Sequence, residues 1–172
     1  RHPSSAGRAR FASILNEVHA PELLVLALLY HDTGKWREGD HANESARLAG
    51  AMLARLQLPD AARDTIEFLI THHLAISNVM FRRDVSDPDT AAELAALVGN
   101  EELLKMLCLL TLVDIDAVAP GTLTPWKEDL LWRVYVDTYN HLTLGYADEL
   151  IQKDQAGRAL VIAECPDDIT EE

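Results

Sequence analysis

Leu23-Leu24-Val25-Leu26-Ala27-Leu28-Leu29-Tyr30-His31-Asp32-Thr33-Gly34-Lys35 is the stretch whose reading decides the fold. Residues 23–29 carry no polar side chain, which predicts a helix buried on all sides. Gly34 breaks the run, and its last turn sets an imidazole beside a carboxylate at the edge of a core. A carboxylate buried there is costly unless something positive compensates it. A divalent metal ion meets that need, because His nitrogen and Asp oxygen are both common ligands. On the dipeptide alone, a solvent-facing helix end is the simpler account.

Features elsewhere in the chain change that balance. His41 follows Gly39-Asp40, His72-His73 closes an apolar segment, and Asp114 interrupts residues 109–115, a stretch too apolar for a surface. A buried carboxylate at Asp114 calls for a cation, either a metal or an Arg or Lys from another helix. His72 and His73 diverge by about 100° on a helix, so one is a ligand while the other contacts substrate or caps the helix. Lys35, with Trp36 and Arg37 after it, sits in a loop able to fold over bound metals and place a cation beside phosphoryl oxygens. Arg82-Arg83 serves the same purpose or is solvated loop charge. His2, His19 and His141 are given no role: His19 is a connector residue and His141 a surface one.

The chain of 172 residues is long enough for one domain with a sizeable core. Hydrophobic residues make up 48% of it and aromatics 6%, with Leu and Ala dominant, which favours helices. The formal net charge is −13, from 28 acidic against 15 basic residues. So negative a surface argues against a nucleic-acid footprint or docking on an anionic membrane. No apolar run reaches transmembrane length, and the Arg-rich start lacks the apolar segment of a signal peptide. Cys108 and Cys165 have no close spacing and fit reduced thiols in a cytoplasm. A first residue other than Met reads as a piece of a longer protein.

Periodicity predicts an all-α domain of six to seven helices. A short amphipathic helix covers residues 8–18, the run described above starts at Pro21, and residues 43–56 form the next helix after a loop over 33–40. Asp60 is the expected cap of a helix leading to His72-His73. Residues 77–87 are polar and read as a loop. Asp87-Pro88 opens a short helix closed by Gly99, and Asn100-Glu101-Glu102 opens the longest apolar one, over residues 103–118. After Pro120-Gly121, Thr124-Pro125 caps a last helix reaching about Asp154, packed through Trp126, Leu130, Leu131, Val134 and Tyr135. Residues 157–172 read as an acidic tail or linker, leaving 1–156 as the domain.

His31-Asp32 with Thr33-Gly34-Lys35, then Gly39-Asp40-His41, His72-His73-Leu74, Arg82-Arg83-Asp84, Val113-Asp114-Ile115 and Trp126-Lys127 resemble the HD domain of bacterial PII uridylyltransferase/uridylyl-removing enzymes. His-His-Leu followed by Arg-Arg-Asp is the specific part, since many nucleotide hydrolases share a bare His-Asp. The resemblance implies an HD-domain helical bundle that hydrolyses UMP from the uridylylated PII nitrogen-signalling protein, with one or two divalent ions (Mn, Mg or Fe). It implies a nucleotidyltransferase domain and glutamine-sensing ACT domains in the full-length chain. His31, Asp32 and Asp114 would hold the metal centre, with His41 and His73 completing a second position bridged by Asp32. Asp32 and Lys35 would be catalytic, with His72, Arg82 and Arg83 as secondary contacts to substrate phosphate. One further family histidine lies on an earlier helix and is not matched here, so this chain is expected to hold at most one ion tightly. The alternatives are an HD hydrolase of a free nucleotide and a catalytically silent HD domain relaying a glutamine signal.

Overall fold

The computed structural model describes the backbone of residues 6–36 and 39–164 and the side chains of residues 7–36 and 39–144. His2, Arg37 and Cys165 lie outside the described residues. Among those described there are eight α-helices and no strand: α1 (Ala6–Glu17), α2 (Pro21–Tyr30), α3 (His41–Leu56), α4 (Asp60–Thr71), α5 (Ala75–Arg82), α6 (Pro88–Val98), α7 (Glu101–Val118) and α8 (Pro125–Glu164). The all-α expectation holds.

The helix buried on every side is α7, not α2. Residues 104–111 of α7 are buried without interruption, and α1, α2, α4, α5, α6 and α8 all pack on it. Its start is fixed as the sequence predicts: the Asn100 side chain accepts a hydrogen bond from the Leu103 amide at 2.9 Å. The one charge in its buried stretch, Lys105, is neutralised by Glu17 of α1 at 3.0 Å. By contrast α2 buries Leu24 and Ala27 but leaves Val25 62% and Leu29 66% exposed. Its neighbours α3, α4 and α7 cover one side only. An apolar run shows no amphipathic asymmetry, so the pattern could not reveal which side would stay open.

Other boundaries differ from expectation for local reasons. Residues 75–82 form α5, not a loop, because Ile76 and Met80 lie one helical turn apart and both face the core. Pro59, not Asp60, precedes α4, and Asp60 pairs with Arg63 inside its first turn. His41 begins α3 instead of ending a loop, with Asp40 as the cap accepting from the Asn43 amide at 3.3 Å. Helix α8 runs through Gly157 to Glu164, past the expected end at Asp154 and into the segment read as a tail. Residues 165–172 lie outside the described residues. Of its predicted packing face, Leu131, Val134 and Tyr135 are buried, but Trp126 in the first turn is exposed.

Two caps place the site. The His31 amide closes α2 onto the Ala27 carbonyl at 2.8 Å, and two tight turns follow, Thr33 to Tyr30 at 3.1 Å and Lys35 to Asp32 at 3.0 Å. At the end of α4 the His72 amide bonds the Phe68 carbonyl at 2.9 Å, and the Ala75 amide bonds the His72 carbonyl at 2.8 Å. Replacing fully buried Leu131 by Ala is expected to cost about 2–5 kcal/mol. Val25→Ser on the open side of α2 is expected to change stability by no more than about 0.5 kcal/mol. Urea denaturation of both variants checks the assignment of inside and outside.

Candidate metal centre

The centre gathers five side chains from four places: His31 and Asp32 after α2, His41 at the start of α3, His73 after α4, and Asp114 near the end of α7. They form two groups. One ligand atom each from Asp32, His41 and His73 lie within 4.8 Å of one another, and so do those from His31, Asp32 and Asp114. Asp32 belongs to both. One of its carboxylate oxygens lies 3.9 Å from His73 Nε2, the other 3.7 Å from His31 Nε2.

Hydrogen bonds behind the rings decide what the front nitrogens can do. His31 Nδ1–H donates to the Leu28 carbonyl at 2.8 Å, and His73 Nδ1–H donates to the Ile70 carbonyl at 2.7 Å. In the neutral ring each bond leaves Nε2 with a lone pair aimed into the centre. His73 is buried and its Nε2 has no hydrogen-bond partner. Burial, as the largest influence, lowers the pKa of His73, so the ring stays neutral with its lone pair unused. An unpartnered acceptor beside a carboxylate and a second imidazole is a donor set that fits a divalent cation.

His31 tells the same story with opposite sign. Its Nε2 faces Asp114 Oδ1 at 3.3 Å, so a neutral ring would oppose two acceptors. The bond to Asp114 raises the His31 pKa against the lowering effect of burial, and the bond to His31 lowers that of Asp114. A proton between them does what a cation would do. Asp114 is 30% exposed instead of enclosed as its apolar neighbours suggest. It lies near the end of α7, where Val113 is exposed and the residues after Ile115 leave the core.

The remaining sequence candidates separate. Lys35 reaches Asp32 Oδ2 at 2.8 Å from an exposed position at the rim, and that bond raises its pKa. His72 turns away from the centre and lies against Phe68, with ring centroids 4.6 Å apart, while His73 enters it. Arg83 pairs with Glu93 of α6 at 2.6 Å, and Arg82 is exposed at the end of α5. Neither arginine is brought to the five-residue cluster. His19, read as a connector, is tied to Glu102 at the start of α7 at 3.0 Å, and Asp116 faces Arg8 of α1. Sequence reasoning missed Ser45, whose buried hydroxyl accepts from the Gly34 amide at 2.8 Å. A lone serine inside an amphipathic helix gives no signal.

The chain matches the HD domain family over residues 5–98. It belongs to that family. Over 156 residues it is 37% identical to the bifunctional uridylyltransferase/uridylyl-removing enzyme of Ectopseudomonas mendocina (strain ymp), covering 90% of this chain and 17% of that protein. The protein of the same name from Pseudomonas entomophila (strain L48) is 38% identical over 144 residues, 84% of this chain and 16% of its own length. That from Novosphingobium aromaticivorans is 35% identical over 155 residues, 87% of this chain and 17% of its own length. The chain therefore spans about a sixth of the curated relatives it matches. No solved structure matches it. Membership in the family, with the two candidate ligand groups, supports a metal-dependent phosphohydrolase.

In the metal-free protein, a histidine titration followed by NMR is expected to place His31 above 6.5 and His73 below it. Protons therefore compete with metal at His31 to higher pH than at His73. Affinity for Mn²⁺ is expected to climb by about tenfold per pH unit below the His31 pKa and to level off above it. Calorimetric titrations at stepped pH test this.

Proposed function

We propose that this HD domain is a metal-dependent phosphodiesterase that hydrolyses the uridylyl–tyrosine bond of uridylylated PII protein and releases UMP. The sharing of Asp32 by two ligand groups carries the reading. The similarity to enzymes named for uridylyl removal supports the substrate. Asp32, His41 and His73 would hold one divalent ion, and His31, Asp32 and Asp114 a second more weakly, with Mn, Mg or Fe all compatible with mixed His and Asp ligands. Such ions supply an acidified water and neutralise phosphoryl oxygens.

The chain's own groups do the rest. The Leu28 and Ile70 carbonyls hold His31 and His73 in one tautomer and one orientation. Lys35, tethered to Asp32 at the exposed rim, offers its ammonium to an incoming phosphate oxygen and steadies the charge that develops there. Arg82 and Arg83 lie outside the ligand cluster and act on docking of the protein substrate. The Arg83–Glu93 pair is exposed and so held weakly enough to be exchanged for a substrate anion. Nucleotidyltransferase and ACT domains would flank this one in the full-length protein, and the segment after residue 156 would lead toward the latter. A cytoplasmic location goes with such a substrate.

Asp32→Asn or Asp114→Asn in the full-length protein is expected to abolish uridylyl removal and leave uridylyl addition working. Full removal activity in either variant, or hydrolysis of free nucleotides with none of uridylylated PII, would overturn the proposal. The double variant Arg82→Ala, Arg83→Ala is expected to keep its metal and show a raised KM for uridylylated PII. Unchanged kinetics would return both arginines to plain surface charge.

A further inference from the structure

The two ligand groups are assembled by different means. In the first, His31 and Asp32 are chain neighbours, and Asp114 is joined to His31 directly at 3.3 Å. In the second, His73 Nε2 lies 3.9 Å from Asp32 Oδ1, and the His41 and His73 rings lie edge to face with centroids 5.4 Å apart. Asp32 and His41 sit on opposite sides of a loop. Something outside the ligands must fix that separation.

Gly34 and Ser45 supply the fixing contact. A Cβ built on Gly34 would lie 2.6 Å from the Ser45 nitrogen, 2.7 Å from the His41 carbonyl oxygen and 2.9 Å from the Glu44 carbonyl carbon. All three are backbone atoms of the first turns of α3, so the turn after Asp32 rests directly on the helix that carries His41. Only a residue without a side chain permits this approach. The contact is locked by one hydrogen bond, from the Gly34 amide to the Ser45 hydroxyl at 2.8 Å, and Ser45 is wholly buried. Without that acceptor the Gly34 N–H would be buried unsatisfied.

We propose that Ser45 is a positioning residue for the metal centre: by holding the Gly34 amide it sets the distance between Asp32 and His41, and so the affinity of the Asp32–His41–His73 group for a divalent ion. The inference rests on the metal reading above. Ser45 touches neither metal nor substrate; it acts through the turn that presents Asp32.

The test is a Mn²⁺ titration of the full-length protein carrying Asp114→Asn, which isolates the Asp32–His41–His73 group, with and without Ser45→Ala. Removing the hydroxyl is expected to weaken Mn²⁺ binding by about 10- to 100-fold, as loss of an outer-layer support does. Ser45→Thr, which keeps the hydroxyl, is expected to restore most of the affinity. The melting temperature of each metal-free protein is recorded alongside. If Ser45→Ala does not fold, the nearly isosteric Ser45→Cys replaces it, because sulfur is a poor acceptor. A lower melting temperature with unchanged Mn²⁺ affinity would overturn the proposal and leave Ser45 a packing residue. Equal weakening in the Thr variant would also overturn it. Absence of Mn²⁺ binding in the wild-type protein would overturn the metal reading itself, and the inference with it.

Discussion

The Asp32 carboxylate is the constraint on which the site depends. Among the described residues it alone belongs to both ligand groups, and its two oxygens face different histidines. Three independent packing events must agree for that to happen. The α2 helix must end at Tyr30, α4 must deliver His73 through the turn at residues 72–74, and α7 must stop burying its residues just as Asp114 arrives. The first two are fixed by backbone caps, the third by the length of the buried stretch of α7. The His73 Nε2 lone pair faces the centre without a hydrogen-bond partner, and the His31 Nε2 faces the Asp114 carboxylate, so both rings present their front nitrogens where a cation shared through Asp32 would sit.

Most of the candidate centre is legible in the sequence, because its residues break local patterns. His31-Asp32 and Asp114 interrupt apolar runs, and His72-His73 ends one. Burial of such groups needs a reason, and the reason is shared. That only one of His72 and His73 could face the centre was also available, since adjacent helical residues diverge; the preference for His73 came with the family resemblance, and the structure turns His72 against Phe68. The Ser45 contact was not available, because it depends on how closely two backbones approach. Nor did the sequence place Arg83 against Glu93, a pairing of exposed charges that many surface arrangements would satisfy equally.

The fold was legible in class and less so in detail, for two physical reasons. The first is that hydrophobicity without periodicity has no direction. The apolar runs of α2 and α7 look alike in sequence, yet α7 takes the centre of the bundle and α2 its edge, with Val25 and Leu29 left open. The second is that a short helix needs few anchors. Ile76 and Met80, with Ala75 and Val79 packed beside them, fold α5 against the core although Ser77, Asn78 and Arg82 lie among them. At the other end, neither Gly157 nor the charges near it stop α8, whose final turns run past the expected boundary.

The most direct measurement is anomalous diffraction from crystals of the full-length protein grown with Mn²⁺. The account predicts an anomalous peak bonded to Asp32, His41 and His73, with the His73 Nε2 as a ligand, and no such peak in crystals of Asp32→Asn. A wild-type map without a peak at His73, or an equal peak in Asp32→Asn crystals, would contradict it.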